Sequence, residues 1–118
     1  MTLQQPHNEI LLEIQDGVTL LDIKGDITAF SEASLGDAYR TASEQGATKL
    51  VLQIEKEAYI NSGGIAVLIQ ILAKTRRNGQ RVAISGISEH FKKIFTMVGI
   101  TKFADVFDTP EMALQALN

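Results

Sequence analysis

Lys49-Leu50-Val51-Leu52-Gln53-Ile54-Glu55, followed after a short gap by Asn61-Ser62-Gly63-Gly64 and then Ile65-Ala66-Val67-Leu68-Ile69-Gln70-Ile71-Leu72-Ala73, is the stretch that decides the fold. In its first part Leu50, Val51, Leu52 and Ile54 crowd together without polar alternation, which marks a strand covered on both faces. Its last part is too long for a strand. Ile65, Leu68, Ile69 and Leu72 recur at helical spacing, so a helix is expected over residues 65–77, ending near Asn78-Gly79. A buried strand joined to the next strand through a helix needs a crossover, and crossovers favour parallel pairing.

Upstream, Glu9–Gln15 and Val18–Lys24 are apolar-rich runs joined by Asp16-Gly17, a dipeptide suited to the positive φ angles of a tight hairpin turn. After the turn at residues 25–28, Ser31 can cap a helix that carries Leu35, Ala38, Tyr39 and Ala42 on one face and stops at Gly46. Downstream, residues 81–86 read as a short strand. Ser88 caps a third helix with Phe91, Ile94, Phe95 and Val98 on one face and Gly99 at its end. Thr109-Pro110-Glu111 supplies the cap, first-turn proline and early acid of a last helix that runs through Leu117. The expected class is α/β: a mixed sheet of four to five strands with about four helices packed on it.

The chain has 118 residues, 45% of them apolar, which suits one domain spanning residues 1–118, with residues 1–8 as a flexible tail. Eleven Lys and Arg against fourteen Asp and Glu give a net charge of −3 with no long block of either sign, which argues against a nucleic-acid partner. The absence of cysteine removes disulfides, thiolate ligands and thiol nucleophiles, and it fits a reducing cytoplasm. No basic start leads into an apolar core, and no apolar run reaches the roughly 18 residues of a membrane span, so neither export nor insertion is expected.

The element order, the turn Gly25-Asp26-Ile27-Thr28, and the pair Leu50-Val51-Leu52-Gln53-Ile54 and Tyr59-Ile60-Asn61-Ser62-Gly63-Gly64-Ile65 resemble STAS domains, the family of sulfate transporters and anti-sigma factor antagonists. The likeness extends to Arg76, Arg77 and Gly79, to Gly99-Ile100, and to residues 103–107. The ordered set carries it rather than any single motif. The resemblance implies a bacterial partner-switching protein that binds an anti-sigma factor, often a kinase, and so frees a sigma factor. In that family the turn before the second helix typically reads Asp-Ser-Ser-Gly, with the second serine phosphorylated to switch binding off. Here Asn61 stands at the aspartate, Ser62 at the first serine and Gly63 at the acceptor, and Gln53 stands where an acid is frequent. Gly63 has no hydroxyl, so the usual switch cannot operate there, and Ser62 is left as the alternative acceptor.

The expected partner surface therefore comprises Asp26, Thr28, Asn61, Ser62, Gly63, Gly64, Val67 and Ile71. A helix start leaves backbone N–H groups unpaired and carries partial positive charge, so it can seat an anion or a carbonyl. Ser62 or Asn61 can equally cap the helix. Gly63 and Gly64 can serve a turn with positive φ or a close backbone approach. Val67 and Ile71 lie off the main stripe, which leaves the helix either deeply buried or presenting an apolar docking face. Asp26 and Thr28 serve either local turn bonding or partner contact. His7 and His90 lack the neighbours of a metal site, and Lys92, Lys93, Arg76 and Arg77 read as a solvated face.

No Ser/His/Asp set, carboxylate pair or phosphate loop with its lysine is present, so neither an enzyme nor a bound cofactor is expected. The partner is an anti-sigma factor or kinase-like protein, and a homodimer is compatible with that role. The alternative is a STAS subunit of a larger assembly, either a stressosome-like scaffold or an accessory subunit of a lipid transporter.

Overall fold

The computed structural model describes residues 8–118, and the expected tail lies outside them except for Asn8, as does His7. The strands are β1 (Glu9–Gln15), β2 (Val18–Lys24), β3 (Lys49–Ile54), β4 (Arg81–Ser85) and β5 (Asp105–Phe107). The helices are α1 (Glu32–Glu44), α2 (Ser62–Arg77), α3 (Glu89–Met97) and α4 (Pro110–Leu117). Short 3-10 turns at Ala29–Ser31 and Ile100–Lys102 precede α1 and β5.

Asp16 and Gly17 take φ of 52° and 79°, the two positive values of a type I′ turn, and this sets β1 antiparallel to β2 with Gln15 opposite Val18. Each later strand joins its predecessor in parallel, giving the order β1-β2-β3-β4-β5. β5 was not foreseen as a separate strand. Three residues offer no alternation to read, and it exists because Ala83, Ile84 and Ser85 provide a free edge for it.

Helices α1, α2 and α3 cover one face of the sheet, where Leu21, Ile23, Leu50, Leu52, Ile54 and Ile84 meet Leu35, Leu68, Leu72, Phe91 and Phe95. Helix α4 covers the other face, packing Ala113 and Leu117 on Val18, Leu20, Val51 and Ala83. This two-sided cover is why β3 carries no polar alternation.

Of the two alternatives open for α2, burial holds, and this corrects the placing of Val67 and Ile71 on the partner surface. Both are buried, because α1 packs beside α2 and seals the flank that a sheet-facing stripe alone would leave open. The buried stripe of α2 is Gly64, Val67, Leu68, Ile71, Leu72 and Thr75, while Ile65 and Ile69 are half-buried. Val98 is exposed past the end of α3 rather than on its packed face. Asn8 is not tail. It is buried, and its Nδ2 donates to the carbonyls of Lys24 and Asp26, both at 2.8 Å.

Lys92 is not a free solvated cation: its Nζ pairs with Glu89 at 2.8 Å and with Asp108, tying α3 to the loop before α4. The hydrogen bond from Lys92 holds the Asp108 carboxyl below its ordinary value, so this exposed latch is complete at neutral pH and opens as pH falls through that lowered value.

Leu52→Ala in the fully packed central strand is expected to lower unfolding stability by about 2–5 kcal/mol, whereas Met112→Ala on exposed α4 stays within about 0.5 kcal/mol. Urea denaturation with an unchanged m-value checks both.

Candidate functional site

Two loops meet at the carboxyl ends of the parallel strands, the crevice where open α/β sheets place their sites. One runs from Gly25 through the Ala29–Ser31 turn, and the other from Glu55 to the start of α2. Ile27 bridges Ile60 in parallel, outside the named strands. Ile27 N donates to Tyr59 O at 2.9 Å, and Asn61 N donates to Ile27 O at 3.2 Å. Carboxylates add to the bridge: Tyr59 N donates to Asp26 Oδ1 at 2.9 Å, and Gly25 N to Glu55 Oε1 at 2.6 Å. Each joins a backbone donor that would otherwise be free to a charged acceptor on the facing loop, the stronger class of hydrogen bond.

The Ala29–Ser31 turn closes itself. Thr28 Oγ1 accepts from Phe30 N at 3.1 Å and Ser31 Oγ accepts from Thr28 N at 3.0 Å, a reciprocal capping box. Ser31 therefore spends its hydroxyl on the loop instead of capping α1 directly. The start of α2 is capped by Asn61, whose Oδ1 accepts from Gly64 N at 2.9 Å, and Ser62 is the exposed first residue of the helix.

The two glycines answer to close approach and not to backbone conformation, since neither has positive φ. A Cβ on Gly64 would stand 2.0 Å from Ile27 O, a distance no side chain tolerates. A Cβ on Gly63 would stand 3.0 Å from both Cβ and N of Ala29. A side chain at position 63 would thus begin in tight contact with the 3-10 turn, which would have to give by a few tenths of an ångström.

Of the residues expected at the site, Asp26, Thr28, Asn61, Ser62, Gly63 and Gly64 come together here. Asp26, Asn61 and Gly64 hold the two loops together, whereas Thr28 closes its own turn. Val67 and Ile71 lie beneath the surface, and the outward ridge of α2 is Ser62, Ala66 and Gln70. Sequence reasoning missed Ala29, which closes over Gly63, and the exposed aromatics Phe30 and Tyr59, which are 51% and 61% accessible and flank the helix start. An aromatic beside each of the two turns was the available signal. Tyr59 also meets Phe91 edge to face, with ring centroids 6.1 Å apart, which steadies it against α3.

Among the described residues no helix is long and apolar enough to cross a membrane, and no group of three or more His, Asp or Glu side chains could hold a metal ion.

The chain is thus a three-layered α/β domain whose capped helix start is bonded to a neighbouring loop and flanked by exposed aromatics. The sequence profile of the STAS domain matches residues 9–113, and the chain belongs to the STAS domain family. Solved structures share its fold. An anti-sigma factor antagonist from Mycobacterium paratuberculosis superposes with a TM-score of 0.79 at 19% identity, over 93% of each chain. A candidate anti-sigma factor antagonist from Thermotoga maritima gives 0.80 at 16% identity, over 92% of this chain and 93% of that one. The phosphorylated form of the Bacillus cell fate determinant SpoIIAA gives 0.66 at 18% identity, over 93% of this chain and all of that one.

Gly64→Ala is expected to cost several times as much stability as Gly63→Ala, because the first meets a carbonyl oxygen head-on and the second needs only a shift of a few tenths of an ångström. Asn61→Ala is expected to cost about 1 kcal/mol through the lost cap. Denaturation midpoints of the three variants check this ranking.

Proposed function

We propose that this STAS domain is a non-enzymatic anti-sigma factor antagonist. It docks on an anti-sigma factor or kinase-like protein and so releases a sigma factor. The names of its structural neighbours support this reading, as does the position of the welded helix start. The contact surface comprises the turn at residues 25–28, the exposed side of residues 61–64, the ridge Ser62, Ala66 and Gln70, and the aromatics Phe30 and Tyr59.

The observation that carries the proposal further is the glycine at position 63, packed against Ala29. A phosphoserine adds about −1.5 to −2 charge and turns an interface off by repulsion and bulk. Here the acceptor hydroxyl is missing, and Ala29 stands 3.0 Å from where a Cβ would begin. The turn keeps one state, and the docking surface is constitutively competent. Ser62 holds the one hydroxyl within residues 61–64 and is the residue at which a kinase would have to act instead.

The test is an affinity pull-down from the native cell with the intact protein and with Ala66→Glu, which sets a carboxylate on the exposed ridge without touching the core. The intact protein is expected to capture an anti-sigma factor or kinase-like ATPase. Ala66→Glu should weaken the purified pair by about 30-fold or more, the effect of an unpaired charge buried in an interface. Phosphate transfer from the captured kinase to any residue in 61–64 would overturn constitutive competence. Equal capture of scaffold or lipid-transporter subunits by both proteins would replace the antagonist reading with that of an assembly subunit.

A further inference from the structure

Strand β1 is an edge of the sheet, pairing with β2 alone among the described residues. Natural sheets blunt such edges with proline, lysine, bulges or short length. β1 is 7 residues long, its register with β2 is unbroken from Glu9 to Gln15, and it contains neither proline nor lysine; its only charges are Glu9 and Glu13, which select among registers instead of closing the edge to all of them. Leu11 and Ile14 on it are 52% and 61% exposed. The other edge, β5, is only 3 residues long and offers little to pair with.

We propose that two copies of this chain pair antiparallel through β1 about a two-fold axis at Leu12, joining their sheets into one. This goes beyond the docking reading and does not rest on it.

The register follows from the hairpin. A two-residue turn makes its flanking residues, Gln15 and Val18, a hydrogen-bonded pair, and such pairs alternate along an antiparallel ladder. Gln15, Glu13, Leu11 and Glu9 therefore direct their backbone groups to β2, while Ile10, Leu12 and Ile14 direct theirs to the open edge. A second β1 satisfies them only in registers that oppose even-numbered residues to even-numbered ones. Placing the axis at Leu11 sets Glu9 against Glu13, and placing it at Glu13 sets that carboxylate against itself; like charges directly opposite are destabilising. An axis at Leu12 avoids both. It pairs Ile10 with the second copy's Ile14 and Leu12 with its own counterpart, and it sets Leu11 beside Glu13 and Glu9 beside Gln15.

Side-chain shape agrees with this register. Ile10 and Leu12 pack against the main core, and with Ala38 and Thr41 of α1 they line a shallow groove along the open edge. In the paired register the exposed Ile14 of one copy lies against Ile10 of the other, at that groove, and the two-fold repeats the contact. Asp37, at the groove's rim, is paired with Arg40 at 3.1 Å, which lowers the repulsion between the two α1 helices. The occupant that fits is thus the strand itself: its aliphatic row, its groove and its charge pattern are self-complementary, as an isologous interface requires.

Sedimentation of the full chain between about 1 and about 500 μM tests this. The protein is expected to dimerise with rising concentration. Ile14→Lys should weaken the dimer at least about tenfold, and Leu11→Lys, opposite the second copy's Glu13, should tighten it by about threefold. Leu11→Glu should loosen it, while Gln115→Lys, an equal charge change on distant α4, should leave it unchanged. Both edge positions are exposed, and circular dichroism checks that each variant folds. If Ile14→Lys does not fold, the opposite signs at Leu11 still decide the matter. A protein that stays monomeric throughout, or a dimer that responds alike to lysine and glutamate at Leu11, would overturn the proposal.

Discussion

The carbonyl oxygen of Ile27 stands where a Cβ of Gly64 would be, 2.0 Å from it, and the arrangement of the site depends on that contact. It lets α2 begin directly against the continuation of β2, close enough for the Ile27–Ile60 bridge to form. The bridge in turn holds the 3-10 turn over Gly63 and brings Asp26 within reach of Tyr59 N. Any residue larger than glycine at position 64 would push the helix start outward and separate the two loops. The geometry of the two loops is therefore set by a missing side chain before any present one.

A similar constraint acts one strand further along. Gly86 follows β4 with φ of 92°, and a Cβ there would stand 2.2 Å from Ile54 O and 2.7 Å from Nε2 of Gln53. Gln53 also accepts from the Ser85 hydroxyl, so the amide occupies a place between β3 and β4 where the family often has an acid. A neutral acceptor there leaves no buried charge to compensate, which suits a position where Ser85 is fully buried. The carboxyl ends of β3 and β4 are thus closed by backbone contact and by one neutral hydrogen bond.

The sequence made the hairpin legible through Asp16-Gly17, marked the caps Ser88 and Thr109, and narrowed the cap of α2 to Asn61 or Ser62, because these features are local: turn chemistry and capping depend on residues within a few positions of each other. What could not be read depends on distant partners. Val67 and Ile71 could not be assigned to core or surface because a one-dimensional stripe counts only the sheet, whereas α1 arrives from a different part of the chain. The glycine pair showed that side chains were unwelcome but not whether conformation or crowding excluded them, a question that Ile27 and Ala29 answer from across the loop. Asn8 was assigned to the tail on position alone, although its amide closes on Lys24 and Asp26. β5 was hidden because it has so little sequence of its own.

The two surfaces argued above occupy different sides of the fold, which limits how they can interact. The proposed docking surface lies at the carboxyl ends of β2, β3 and β4, while the proposed self-association lies along β1, the far edge of the same sheet. In-plane antiparallel pairing puts the two-fold axis perpendicular to the sheet, so the two copies of α2 start at opposite ends of the joined sheet and point away from one another. Neither copy then covers the other's helix start. Because β1 reaches the docking end through Glu9 opposite Lys24 and through Asn8 on Asp26, strand pairing would stiffen the loop that carries Asp26 without contacting a partner there.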